Sequence, residues 1–210
     1  MVKVNAPAMS LDASGSLGGA IVFSKWKGRN YIRTLVRPSN PRSVLQVAVR
    51  AMMKFLSQNW ASMTAPEKAD WLLLAKATSI SAFNAMVAAN MVRWRQYLAP
   101  STMTPALETG TLADCAAATA AGGYHQTVIT FTVAAVNNNW GIVLIRSTAD
   151  DAPTDLGHVV AVIPTTAAEA IEYTDAGLTP GKYFYWWRRF TRAGKLDGFF
   201  SQGELSATAT

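Results

Sequence analysis

Acid–base, nucleophilic or metal chemistry has little to work with here: two histidines, one cysteine and thirteen acidic residues in 210. His125 and His158 each stand alone in β-rich segments, without the convergent second and third ligands a metal site needs. An isolated histidine of this kind reads as a surface or hydrogen-bonded residue. Cys115 sits in an alanine run, DCAAATAA, with no histidine beside it to serve as base. A single cysteine also excludes an intramolecular disulfide framework and a multi-cysteine zinc site. SGSLGG (14–19) lacks the GK[ST] ending of a phosphate-binding loop and leads into a strand instead of a helix, so its glycines read as those of a flexible or closely packed arm. Asp150-Asp151, in DDAP, reads as a turn and not as a calcium-ligand pair. These residues point to a protein that is not an enzyme and takes no metal or cofactor.

Charge and aromatic surface are better represented. The net charge of +6 is the sum of two opposed halves. Residues 1–100 hold thirteen basic residues and only Asp12, Glu67 and Asp70 on the acidic side, while residues 101–210 hold six basic and ten acidic residues. Eight cations and no acid lie between Asp12 and Glu67. Within that run Lys25, Trp26, Lys27, Arg29, Arg33, Arg37 and Arg42 combine cations with an indole, a set suited to acidic partner groups or to phosphates. The second aromatic concentration is YFYWWRRF (183–190); strand alternation turns one of Trp186 and Trp187 outward unless the strand is covered on both faces. With one ring filling the core, an outward tryptophan there would lie under Arg188 or Arg189 as a cation–π pair, serve a protein interface or stack on a sugar.

Several elements must position these groups. Residues 1–19 read as an extended arm. Ala20–Lys25 and Asn30–Val36 read as a β-hairpin turning at Gly28, with Ile21, Phe23 and Lys25 on one face and Val22 and Trp26 on the other. A two-stranded hairpin is marginal in water, so it needs something to pack on. In PSNPRS, Asn40 is placed as an N-cap and Pro41 at the first helical position. Leu45, Val49, Met52, Met53, Leu56 and Trp60 then recur at helical spacing. Thr64 and Glu67 form a capping box for a second helix through Trp71, Leu72, Leu74 and Ala75. A third helix runs from about Ser81 to Leu98, with Phe83, Met86, Val87, Asn90, Met91 and Trp94 on one side and Pro100 ending it. Its start, Ala82-Phe83-Asn84-Ala85-Met86, offers one amide, which argues against a sequence-reading DNA helix; Arg93 and Arg95 at its far end complement the helix dipole.

Residues 99–112 read as a linker, and DCAAATAAGG resists assignment. Beyond it, Thr127–Ala134, Gly141–Arg146, Val159–Ile163, Ile171–Tyr173, Tyr183–Phe190 and Phe199–Ala207 are short apolar runs separated by turn signals, the pattern of a β-sandwich. The fold class expected is therefore α+β and multidomain, divided as arm 1–19, hairpin and three-helix module 20–98, linker 99–112 and sandwich 113–210. No stretch has the length and apolarity of a membrane span or a secretory leader, which implies synthesis in a reducing cytoplasm.

Two resemblances add to this. SGSLGG, VFSKWKGRNYIR, PSNPRS with Gln46 and Arg50, and WASMTAPEKADW resemble a module of tailed-phage structural proteins and related prophage-encoded chains, over residues 14–95. IEYTDAGLTPGKYFYWWRRFTRAGK resembles bacterial fibronectin type III-like domains, over residues 104–210. There a Leu-x-Pro-Gly corner leads into an aromatic strand; the usual strand-B tryptophan is absent here, with VITFTV in its place. Either Tyr183 or Tyr185 would take the tyrosine-corner role. Together the resemblances imply a virion component, assembled in the host cytoplasm, that docks through its basic half on capsid or tail subunits or on copies of itself. The alternatives are non-specific nucleic-acid binding, or an adhesin or carbohydrate-binding module.

Overall fold

The computed structural model describes residues 15–27, 29–37, 43–112, 115–133, 139–151, 153, 155–165, 170–197 and 205–210. Gly28, Asn40, Pro41 and Arg42 lie outside them, and with them the expected turn glycine and the first N-cap. The protein is a mixed α+β chain with three helices and three antiparallel sheets among the described residues. Its internal contacts divide it into two compact units, Met1–Pro41 and Arg42–Thr210.

In the first unit β1 (Gly15–Leu17), β2 (Ile21–Trp26) and β3 (Arg29–Thr34) form an antiparallel sheet in the order β1-β2-β3. The hairpin forms as its alternation predicts, and the end of the arm adds the third strand. Lys27, at φ 48°, takes the left-handed conformation at the turn.

In the second unit, α1 (Val44–Asn59), α2 (Ala65–Thr78) and α3 (Ala82–Arg95) precede seven strands among the described residues: β4 (Cys115–Gly123), β5 (Gln126–Val133), β6 (Asn139–Ser147), β7 (Val159–Pro164), β8 (Ala170–Ala176), β9 (Gly181–Thr191) and β10 (Leu205–Ala209). They build a three-stranded sheet, β4-β5-β8, and a four-stranded sheet, β10-β9-β6-β7. Ile129 and Phe131 of one sheet meet Ile142, Leu144, Ile163, Tyr185 and Trp187 of the other in a shared core. The opposite face of the four-stranded sheet is covered as well. Val143, Ile145, Phe184, Trp186 and Phe190 bury themselves against Met52, Phe55, Leu56 and Trp94 of the helices. Phe55 sits edge-on to Trp140 and Phe190, at centroid distances of 5.0 and 5.2 Å. Gly141 is what lets α1 come this close: a Cβ there would fall 2.8 Å from the Phe55 ring and 2.9 Å from Ile163 O.

The helices and the sandwich thus form one body, which differs from the expected division at 98/99 and 112/113. The reason is visible along 99–112, expected as a linker. Ala99, Ser101 and Thr102 are buried, and Thr102 N donates to Arg192 O while Glu108 N donates to Ala193 O. Two side chains fasten the same segment to the helices: Trp71 Nε1 donates to Thr102 O, and Asn90 bonds both backbone groups of Ser101. Asn90 is therefore a fully buried amide on an apolar helix face because it pairs with backbone that has no other partner there.

Two expectations about the helices are refined. The buried stripe of α1 is Ala48, Met52, Phe55 and Leu56, while Leu45, Val49 and Met53, one position further round, remain exposed. Arg93 does more than complement a dipole: it donates to Ala99 O, Gly194 O and Glu108. The unassigned DCAAATAAGG contains β4, an alanine-rich strand whose low β propensity hides it. A Cβ on Gly122 would collide with the Thr208 backbone, so small residues suit this close crossing of β10. No single described helix is long and apolar enough to cross a membrane.

Candidate interaction surface

The first unit brings together most of the expected basic and aromatic residues. Pairing sets Val22 opposite Arg33 and Ser24 opposite Tyr31, so Val22, Ser24, Trp26, Tyr31 and Arg33 share one face. Phe23 lies opposite Ile32 and Ile21 opposite Thr34, so Ile21, Phe23, Lys25, Ile32 and Thr34 share the other. One face is thus aromatic and cationic, and the other is apolar apart from Lys25 and Thr34. None of the described side chains between Gly15 and Arg37 is buried. Trp26 is 65% exposed, Ile32 62% and Val36 67%. Lys27 Nζ stands 4.8 Å from the Trp26 ring centroid, a cation–π contact at an exposed site. Lys25, Lys27, Arg33 and Arg37 are all exposed. Arg29 belongs to β3, where its backbone pairs with Trp26; its side chain, and Arg42 altogether, lie outside the described residues. Tyr31 and Ile32, absent from the expected site, belong to it; once the hairpin turn is fixed, strand alternation assigns them.

Trp186 and Trp187, expected to contact partners, do not belong to this surface. They are 9% and 2% exposed, Trp186 against the helices and Trp187 between the two sheets. The sheet is covered on both faces, so alternation turns neither ring to solvent. Trp187 packs edge-on to Phe131 at 5.5 Å, and Trp186 stacks near Phe184 at 6.2 Å.

The other residues of chemical interest are engaged within the fold. His125 Nδ1 lies 2.7 Å from Leu178 O at the β4–β5 turn, and His158 Nδ1 lies 3.0 Å from Asp155. The side chain of Cys115 lies outside the described ones. No group of three or more His, Cys, Asp or Glu among the described residues could hold a metal ion. Glu67 has the most developed environment. Its carboxylate closes the α2 capping box by accepting from Thr64 N at 2.8 Å, and receives Arg192 Nε and Nη2 at 3.1 and 3.0 Å. Burial pushes its pKa up, but the bonds from Arg192, Thr102 and Thr64 outweigh that and hold it down at about 2. A cavity of about 300 Å³ beside it is lined also by Met103, Thr109, Gly110, Thr191 and Ala193. A carboxylate held ionised by its own arginine has no proton to exchange near neutral pH, so this is a structural clamp between α2 and the end of β9.

The sequence matches no protein-family model and no curated protein. Among solved structures, 48% of the chain aligns with 14% of a β-1,2-glucanase from Parabacteroides distasonis, at 18% identity and a TM-score of 0.34. The PKD domain of an M14-like peptidase from Thermoplasmatales archaeon SCGC AB-540-F20 aligns over 92% of its length with 47% of this chain, at 15% identity and TM-score 0.31. The soluble domain of PmoD from Methylocystis sp. ATCC 49242 (Rockwell) covers 43% of this chain and 77% of its own, at 12% identity and TM-score 0.29. Each alignment takes in less than half of this chain.

The two units also differ in charge, though by less than the two halves do. Met1–Pro41 holds six basic residues against Asp12, net +5, whereas the remainder holds thirteen basic against twelve acidic, net +1. Much of the charge in the second unit is internally matched: Glu67–Arg192, Arg93–Glu108, Arg146–Asp175 and Arg189–Asp197 form ion pairs of 2.7–3.0 Å.

Proposed function

We propose that this chain is a non-enzymatic structural or accessory protein of a tailed-phage virion, docking on a capsid or tail lattice through its basic N-terminal sheet. The observation that carries this reading is a three-stranded sheet bearing Ile21, Phe23, Trp26, Tyr31 and Ile32 with no described side chain buried. A small sheet gains independent stability by burying a hydrophobic face, so this one calls for a cover beyond its own three strands. The exposed Ile21 and Ile32 favour a protein cover over nucleic acid, because neither side chain offers anything to a phosphate or a stacked base, and Lys25 on the same face would meet an acidic partner group. The other face supplies cations for acidic partner groups. In this reading the seven-stranded sandwich is fibronectin type III-like, with Tyr183 as its corner residue, its hydroxyl 2.9 Å from Thr179 O. It projects from the lattice as a packing domain.

The test is particle assembly with R33E/R37E. Loss of incorporation, with unchanged folding by circular dichroism, is the expected result; incorporation at the wild-type level overturns the docking assignment. Retained affinity for single- or double-stranded nucleic acid, falling steeply with salt, would favour the nucleic-acid reading instead.

A further inference from the structure

We infer that the aromatic and cationic face of the N-terminal sheet takes, as its occupant, the acidic β6–β7 loop of a second copy, so that the chain associates head to tail. The inference rests on the docking role of the sheet proposed above and names its partner. Both patches carry charge left unmatched among the described residues of the chain. In the second unit Glu67, Glu108, Asp175 and Asp197 are each matched by an arginine of the same body. Asp150 and Asp151 are not: they are adjacent, exposed and in no ion pair among the described residues. Asp155, further along the same loop, is committed to Gly157 N at 2.6 Å and to His158. No lysine or arginine occurs between Arg146 and Lys182, so the loop keeps its negative potential. Asp70 and Glu172 are also exposed, but each stands singly.

The sheet presents the opposite surplus. Arg33 shares a face with Trp26 and Tyr31, and both it and Arg37 are exposed with no ion pair among the described residues. A unit at net +5 and a loop of paired aspartates on another body are complementary by sign, and like-charged pairings of sheet with sheet or loop with loop are disfavoured. The contact uses two different patches of one chain, so it is heterologous and propagates as a ring or an open array instead of closing as a two-fold dimer. That geometry suits a protein laid on a repeating lattice.

The experiment is sedimentation velocity on the purified full-length chain, with R33E/R37E and D150K/D151K as variants. Wild type should associate with rising concentration at about 0.1 M salt. Association should weaken at least about tenfold at about 1 M, where the screening length falls from about 10 Å to about 3 Å. Each variant alone should be monomeric. Mixed in equal amounts they should associate again, because each restores the charge its partner lacks; this also shows that both remain folded. A monomeric wild type, a variant that assembles as wild type does, or a mixture that stays monomeric would overturn the inference. A chain that is monomeric in isolation while R33E/R37E still blocks particle incorporation would remove self-association and leave lattice docking in place.

Discussion

Replacing Glu67 by glutamine tests how the helical hairpin is fastened to β9. The carboxylate accepts from Thr64 and from both Arg192 donors, and its pKa falls from an ordinary 4.5 to about 2. A shift of that size corresponds to about 3 kcal/mol at neutral pH, at about 1.4 kcal/mol per unit. Because the Arg192 side chain is 34% exposed and the Glu67 side chain 15%, solvent screening reduces the usable part to about 2 kcal/mol. The folded-state pKa is depressed, so this stabilisation is complete above pH 4.5 and is lost as pH falls through about 2. Urea denaturation should therefore place E67Q about 2 kcal/mol below wild type at pH 7, or roughly 4–8 °C lower in melting temperature for a domain of this size. At pH 3 the gap should shrink to less than half. A gap under about 0.5 kcal/mol at pH 7, or one equal at the two pH values, would refute the clamp.

Two further substitutions probe the shared body. Asn90→Ala leaves the Ser101 N–H and C=O without their partner in a buried site, and should cost about 3 kcal/mol by chemical denaturation, at roughly 1–3 kcal/mol per stranded group; a cost below about 1 kcal/mol would mean the strap is held elsewhere. Trp186→Ala and Trp187→Ala should each cost about 3–5 kcal/mol, since each ring fills a core; a variant within about 1 kcal/mol of wild type would return its tryptophan to the surface.

The local elements were legible because each carries its own signal. Thr64 and Glu67 sit at capping-box spacing, the hairpin alternates, and the β5 to β9 runs are bounded by turn residues. The joining of helices to sandwich was harder to read, because it depends on which face of a doubly apolar strand meets which neighbour. YFYWWRRF looks the same whether one tryptophan faces solvent or both are enclosed; the deciding fact is the placement of Phe55 over Trp140 and Phe190, far away in sequence. The Glu67–Arg192 clamp has the same origin, joining residues 125 positions apart. β4 was missed because alanine and glycine carry little strand preference, although the closeness of Thr208 suits residues without bulk. Of the interaction surface, the cations were legible from composition, while Tyr31 and Ile32 emerged only with strand pairing.

The double covering of the four-stranded sheet carries a consequence for how β9 finds its place. In a sheet with one wet face, a slip by one residue throws the apolar side chains into water and is rejected at once. Here the same slip would exchange Phe184, Trp186 and Phe190 for Tyr183, Tyr185 and Trp187, one apolar set for another. Hydrophobicity alone therefore discriminates weakly between the two alignments of this strand. The discrimination falls to polar pegs at its two ends: the Tyr183 hydroxyl on Thr179 O and the Tyr185 hydroxyl on Asp175 before the centre, then Arg188 and Arg189 on Asp197 after it. Those bonds act less as glue than as an alignment key, telling a strand that is greasy on both sides which way to face.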